Sequence, residues 1–307
     1  MASNNGKSAP PKKLLVIYNP HAGHKRAKKL LPQIEEEFSH RHISLDILFT
    51  ESPKHATELV KGADFSQYNG LVAAGGDGTL FEVINGYFNN TSKKRIPIGV
   101  LPVGTGNAFA RDLGLENHQW QNAVDIISRN QPRAVDVGRF AFSDQEFYYL
   151  NILGLGFVSD VTKTAVSLKL FGNISYTIGV LYQTIFLKTH HLMLEIDGKS
   201  YERDNIFVEI SNTRYTSNFL MAPNARFDDG FLDITLLNKL NRRRLLKCLP
   251  TVFTGEHIHL DEVETFQAKQ IRIQTDIDKI LTPDGEIVGN TPVEVECLHH
   301  AVEVFCP

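Results

Sequence analysis

Three glycine-rich turns and a few acids carry the chemistry this sequence offers. Gly75-Gly76-Asp77-Gly78-Thr79 follows a short apolar run and opens a helical pattern. Glycine lets the main chain turn tightly, and the amides at a helix N-terminus attract anions, so the stretch reads as a phosphate cradle. Asp77 is the odd member, because a bare carboxylate repels phosphate. It makes sense if a cation such as Mg2+ lies between the two, directly or through water. The alternative is that Asp77 or Thr79 merely caps the helix. Gly104-Thr105-Gly106-Asn107 is a second such turn, and Asn19-Pro20-His21-Ala22-Gly23 a third. Lys25, Arg26, Lys28 and Lys29 follow the third, either to hold phosphates or as a solvated helix face. Further on, Asp228-Asp229-Gly230 with Asp233 is dense enough in acid for a hard cation, or is a hairpin turn. Asp284-Gly285-Glu286 by itself reads as an ordinary turn between strands. Asp136 lies where two halves of the chain meet, a common place for an active site.

The elements that must position these residues alternate at first. Leu14–Tyr18, Ile43–Phe49, Gly70–Ala74 and Ile96–Leu101 are short apolar runs of the kind buried in parallel sheets. Helical patterns lie between them, to about Phe38, over Pro53–Lys61, over Thr79–Phe88 and on to about Arg129. This order predicts an open α/β sheet with helices on both faces, ligands binding at the carboxyl ends of the strands. All three glycine turns fall at those ends. After about Val135 strand-like runs dominate: Phe147–Leu153, Leu192–Ile196, Asn205–Ser211, Phe231–Leu237, Gln270–Thr275, Val293–Cys297 and Val302–Phe305. Turns such as Asp197-Gly198 separate them, which predicts a mostly antiparallel β-sandwich with helical interruptions near 157–187 and 241–254. The division expected is a polar, disordered tail over 1–12, an α/β domain over 13–138 and a β-sandwich domain over 139–307.

Composition narrows the field. The chain has 307 residues, 42% hydrophobic and 22% charged, which excludes fibrous and wholly disordered classes. The net charge of −3 does not favour a nucleic-acid binder. It hides an asymmetry: the first 34 residues hold seven Lys or Arg and no acid. Three cysteines, Cys248, Cys297 and Cys306, make no disulfide framework or metal finger. The N-terminal stretch lacks the apolar core of a secretory signal, and no apolar run reaches the ~18 residues that span a bilayer. A cytoplasmic protein is expected. His190-His191 and His299-His300 lack ligand-like spacing with acids and read as surface histidines; Trp120 and most of the Phe residues read as core.

Taken together, the turns resemble one family. Asn19 to Gly23, Thr50-Glu51 with His55-Ala56, Gly75 to Thr79 with Glu82-Val83-Ile84-Asn85-Gly86, Leu101 to Asn107, Asp136-Val137-Gly138, Ala222-Pro223, Asp229 to Asp233 and Asp284-Gly285-Glu286 occur in the order of the diacylglycerol kinase catalytic-domain family. That family includes soluble bacterial diacylglycerol kinases, YegS-like lipid kinases and sphingosine kinases. The resemblance runs from about Lys13 to Pro307. It implies an ATP- and Mg2+-dependent lipid kinase, with ATP and lipid meeting between the two domains. It also implies roles. Asn19 to Gly23, Thr50, Gly75 to Thr79, Glu82, Gly104, Thr105 and Asn107 would hold ATP. Asp77 would organise the catalytic Mg2+, with Asp136 helping, and Glu286 would be the general base. A second, structural Mg2+ would sit at Asp229 with the carbonyls of Arg226 and Phe231. One position departs: many bacterial members carry Asp after the asparagine of the second turn, and here it is Ala108, as in sphingosine kinases. A diacylglycerol, a sphingoid base or another single-hydroxyl lipid therefore stay open as acceptors.

A lipid kinase has to meet a membrane without crossing it. Leu168–Leu187, with Lys169 and Lys188 near its ends, is either a core helix or a surface lining an acyl pocket or touching the bilayer. Lys239, Arg242, Arg243, Arg244 and Lys247 form a basic cluster suited to anionic headgroups. Two other readings compete: a soluble kinase of the NAD kinase type, which shares the GGDGT turn, and a non-catalytic lipid-binding relative. A homodimer is one possible assembly, and the sequence does not fix the oligomeric state.

Overall fold

The computed structural model describes residues 12–116, 119–156, 189–217 and 219–307. The expected helical segment near 157–187, the apolar stretch Leu168–Leu187 and all of the expected tail but Lys12 lie outside the described residues.

Four strands build the first half: β1 (Lys12–Tyr18), β2 (Ile43–Phe49), β3 (Gly70–Gly75) and β4 (Ile98–Pro102). They are parallel, in the order β2-β1-β3-β4. β3 and β4 are buried at every residue, which is why they read as unbroken apolar runs rather than alternating ones. Helices α1 (Arg26–His40), α2 (His55–Lys61), α3 (Asp77–Phe88), α4 (Ala108–Asp112) and α5 (Trp120–Arg129) connect or flank them. Ile34 and Phe38 of α1, Ile84 of α3 and Trp120, Val124 and Ile127 of α5 pack on the strands as one core.

The second half is mostly antiparallel: β5 (Pro132–Phe142), β6 (Gln145–Tyr149), β7 (Ile152–Gly156), β8 (His190–Ile196), β9 (Lys199–Ser211), the hairpin of β10 (Tyr215–Thr216) and β11 (Phe219–Leu220), β12 (Leu232–Asn238), β13 (Val263–Ala268), β14 (Gln270–Thr275), β15 (Leu281–Pro283) and β16 (Val293–Phe305). Helix α6 (Arg242–Cys248) and the 3₁₀ turn Leu249–Val252 replace the single helix expected over 241–254. Inward residues alternate along β8, where His190, Leu192, Leu194 and Ile196 are buried and the residues between them are not. Leu192, Leu194 and Ile196, with Phe140, Tyr149, Ile210, Ile234 and Ile273, form much of a second core.

Two sequence expectations change. Phe147–Leu153 is two strands, broken at Leu150-Asn151. Val293–Cys297 and Val302–Phe305 are one strand, β16, with a shift of register between Leu298 and Val302. β16 is also the seam of the molecule. It pairs β14 and β5 antiparallel, then meets β4 in parallel at Val304 and Ile98, so one continuous sheet runs through both halves. Val302, Val304, Phe305 and Cys306 therefore belong to the α/β core although they close the chain. Among the described residues, no helix is long and apolar enough to cross a membrane.

Candidate functional site

The three glycine turns meet at the carboxyl ends of β1, β3 and β4. Asn19 donates from its amide to Ala74 (2.9 Å), and its side chain reaches the Thr79 hydroxyl (3.3 Å). The His21 amide donates to the Asn19 side chain (3.0 Å), and Arg26 reaches the Gly104 carbonyl (3.3 Å). The first and second turns are stitched together directly: Gly104 donates to the Gly75 carbonyl (2.9 Å) and Asp77 to the Gly106 carbonyl (3.1 Å). This approach leaves no room for side chains. A Cβ on Gly76 would stand 2.8 Å from the Gly106 carbonyl oxygen, and one on Gly106 2.8 Å from Asp77 Oδ2. Asn107 closes its own turn by donating to the Gly104 carbonyl (3.1 Å). Thr50 donates from its amide to the Tyr18 carbonyl (2.9 Å), which puts it beside the third turn, Asn19 to Gly23.

Asp77 caps a helix, but not its own. Its Oδ1 accepts from the Ala108 amide (2.8 Å), at the start of α4, and the Phe109 amide also donates to it. Burial pushes its carboxyl up to about 6 in spite of those two donors. Asp284 lies close enough to feel its charge. Asp284 accepts from the amides of Asn151 (3.2 Å) and Ile152 (3.0 Å), while its Oδ2 is buried without a partner among the described residues. Burial pushes Asp284 up to about 7 against the pull of the Ile152 amide, and the charge of Asp77 adds to the rise. Two residues on, Glu286 arches over the first turn of α3: an added Cβ on Gly78 would stand 2.5 Å from Glu286 Oε1. The structure therefore brings Asp77, Asp284 and Glu286 together. Asp284 was missed as a site residue because, in sequence, it is only the first member of an Asp-Gly turn; its positive φ of 47° fits that turn.

The Glu82 to Gly86 stretch explains how α3 is held. Both carboxylate oxygens of Glu82 accept from α2 and the residue before it, at the amides of Lys54 (2.7 Å) and Ala56 (3.0 Å). The acid expected at ATP is thus turned to the N-terminus of α2, where it satisfies amides that the helix leaves open. Asn85 faces the other half and clamps Tyr148 of β6 at both its carbonyl (2.9 Å) and its amide (3.0 Å).

Asp136 is fully buried and engaged elsewhere. Its oxygens accept from the amides of Gly230 (2.6 Å) and His300 (2.7 Å) and meet His299 Nδ1 (2.8 Å). The shift of register in β16 faces Asp136, and a bulge of that kind re-aims the residues it carries. His299 is therefore an Asp136 partner rather than a simple surface histidine, and His190 is buried against Lys279 (2.8 Å). Asp136 also holds the 226–231 turn through its amide and the Phe227 carbonyl (2.7 Å). In that turn Asp229 accepts from the Phe231 amide (3.1 Å), and the Arg226 side chain leans toward Asp228 (3.4 Å). Burial pushes nearby Asp233 up to about 6 against its bond to Gln267, and the charge of Asp229 adds to the rise. Asp233 Oδ2 is buried without a partner among the described residues.

A phosphate cradle at strand ends, acids beside it and a carboxylate leaning over it define an enzyme of phosphoryl transfer by class. Comparison with known proteins makes this specific. Residues 13–140 match the diacylglycerol kinase catalytic domain, and residues 152–306 match the YegS C-terminal NAD kinase beta sandwich-like domain. Diacylglycerol kinase of Staphylococcus carnosus is 30% identical over 299 residues, covering 96% of this chain and 95% of its own. That of Bacillus subtilis is 29% identical, covering 96% and 97%. A crystal structure from Bacillus anthracis superposes with a TM-score of 0.80 at 27% identity, covering 100% of this chain and 99% of the other. The chain belongs to the diacylglycerol kinase catalytic-domain family, whose members are lipid kinases.

Proposed function

We propose that the protein transfers the γ-phosphate of ATP to the hydroxyl of a lipid, diacylglycerol or a sphingoid-base-like alcohol, with Glu286 as general base. One observation carries this reading: Glu286 Oε1 lies over Gly78 in the first turn of α3, above the turn that would bind the phosphates. A base there is within reach of a hydroxyl lined up on a bound γ-phosphate. The Asn19 to Gly23, Gly75 to Thr79 and Gly104 to Asn107 turns would supply amides to the phosphates, with Thr50 beside them. Such transfer depends mostly on positioning and charge stabilisation.

The residues present fit a divalent cation. Asp77 and Asp284 are two buried carboxyls, the charge of Asp77 adds to the cost of ionising Asp284, and one oxygen of Asp284 has no donor among the described residues. Mg2+ held there with ATP would neutralise phosphate charge. Ala108 cannot contribute a carboxylate, and Asp284 supplies the second acid beside Asp77 in its place. Asp136 acts through the fold, by fixing the 226–231 turn. In that turn Asp229, with the carbonyls of Arg226 and Phe231, would hold the second, structural cation, and the partnerless oxygen of Asp233 fits the same role.

The test is transfer of label from radiolabelled ATP, in mixed micelles, to a panel of diacylglycerol, monoacylglycerol, sphingosine, ceramide and polyprenol. Label is expected in one organic-phase lipid, and Glu286→Gln is expected to cut it to a small residual rate while leaving the melting temperature unchanged. Label in NADP would support a soluble kinase of the NAD kinase type. No label in any acceptor would make the chain a non-catalytic relative.

A further inference from the structure

Helix α6 and the 3₁₀ turn after it form an outward face with an uncommon composition. The helix is anchored from within. Asn241 caps it by accepting from the Arg244 amide (2.9 Å), and Leu245 packs with Ile206 and Leu237. Arg244 is held by both oxygens of Glu262 (2.8 and 3.1 Å). The opposite face carries Leu246, Pro250 and Phe253, spaced four and three residues apart and all exposed; Leu246 is 43% and Phe253 55% accessible. Arg242, Arg243 and Lys247 surround them, exposed, and none is in an ion pair with a carboxylate among the described residues. Along the chain, the exposed acids that follow, Glu256 and Asp261, lie beyond this stripe.

Scattered exposed apolar residues are ordinary. Three on one stripe, ringed by three unpaired cations, match an interfacial segment whose apolar side enters the headgroup region while its cations meet lipid phosphates. The face is also tied to the cleft. The Phe253 ring packs tilted against Phe219 of the β10–β11 hairpin, with ring centroids 4.8 Å apart, and Tyr215 of that hairpin lies under the Arg111 guanidinium (4.3 Å) of α4, directly after the Gly104 to Asn107 turn.

We infer that this face docks on an anionic bilayer, with Leu246, Pro250 and Phe253 entering the headgroup region and Arg242, Arg243 and Lys247 on headgroup phosphates. This deepens the lipid-kinase reading, since a lipid acceptor has to be collected from such a surface, but the docking itself needs no turnover. The experiment is co-sedimentation of the full chain, without ATP, with phosphatidylcholine vesicles and with vesicles that also contain phosphatidylglycerol. Binding is expected only to the anionic vesicles and should fall as salt rises. A basic residue near such a surface contributes about fivefold in partitioning, so Arg242→Glu/Arg243→Glu/Lys247→Glu should bind on the order of a hundredfold more weakly. Leu246→Ser/Phe253→Ser should weaken binding by on the order of tenfold. If the glutamate variant melts early, the triple glutamine variant serves in its place. Wild-type sedimentation by the charge variant, or binding that ignores salt, overturns the inference and assigns the face to a soluble partner. Phosphorylation of a detergent-dispersed acceptor by the same variants reads the kinase activity separately, so either reading can fail alone.

Discussion

Replacing Gly78 by alanine tests whether Glu286 works from the place where the structure puts it. Gly78 is the second residue of α3, and an added methyl would stand 2.5 Å from Glu286 Oε1. Ordinary contact between such atoms begins near 3.4 Å, so the carboxylate has to move by roughly 1 Å. Glu286 is exposed and its far end can swing, so the fold tolerates the shift. Alanine is also the better helix former, by up to about 1 kcal/mol, which raises the melting temperature of a chain this size by ~2–3 °C at most. The chemistry is less forgiving: misplacing a catalytic group by about 1 Å costs on the order of a hundredfold, or roughly 2.7 kcal/mol of barrier. Gly78→Ala should therefore be as stable as the wild type or slightly more so, yet transfer label from ATP to lipid about a hundred times more slowly. Melting curves and initial rates in mixed micelles check the two halves. In the Glu286→Gln background the same replacement should slow the reaction no further, because both changes act through one carboxylate. Wild-type rates in Gly78→Ala would refute the assignment of Glu286. A loss that simply adds to that of Glu286→Gln would show that the methyl disturbs the phosphates instead.

Two further outcomes follow from acids held inside the fold by their hydrogen-bond donors. Glu209 is held by the hydroxyls of Thr216 (2.6 Å) and Ser211 (3.3 Å), and burial pushes it from 4.5 to about 7 in spite of them. The folded form holds the proton longer than the unfolded chain, so stability falls as pH rises from about 4.5 to 7. By pH 8 ionisation costs about 3 kcal/mol, and Glu209→Gln should then be the more stable protein in urea, with the difference gone at pH 4.5; equal pH slopes would contradict this. Glu82→Ala strips both acceptors from the start of α2 and should cost about 1–2 kcal/mol in urea with little change in the KM for ATP. Unchanged stability with a raised KM would return Glu82 to the nucleotide.

The sequence alone determined the α/β half. Buried parallel strands leave unbroken apolar runs, glycine marks turns whose backbones must touch, and the order of those turns identified the family. It also offered Asp77 as a candidate from its turn, and Glu286 as a candidate through the family resemblance. It could not show that Glu82 serves α2, because a carboxylate in a helix reads the same whether it faces a ligand or a neighbouring helix. Nor could it join Val293–Cys297 to Val302–Phe305, since a bulge looks like a break when the partner strand is unknown. The histidines within that bulge are exposed, as the sequence suggested, but only the sheet sets Asp136 against them. Asp284 became a site residue only through folding. Its burial and its nearness to Asp77, 207 positions earlier in the chain, come from β15 lying beside β7, a pairing between segments whose separation leaves no local trace.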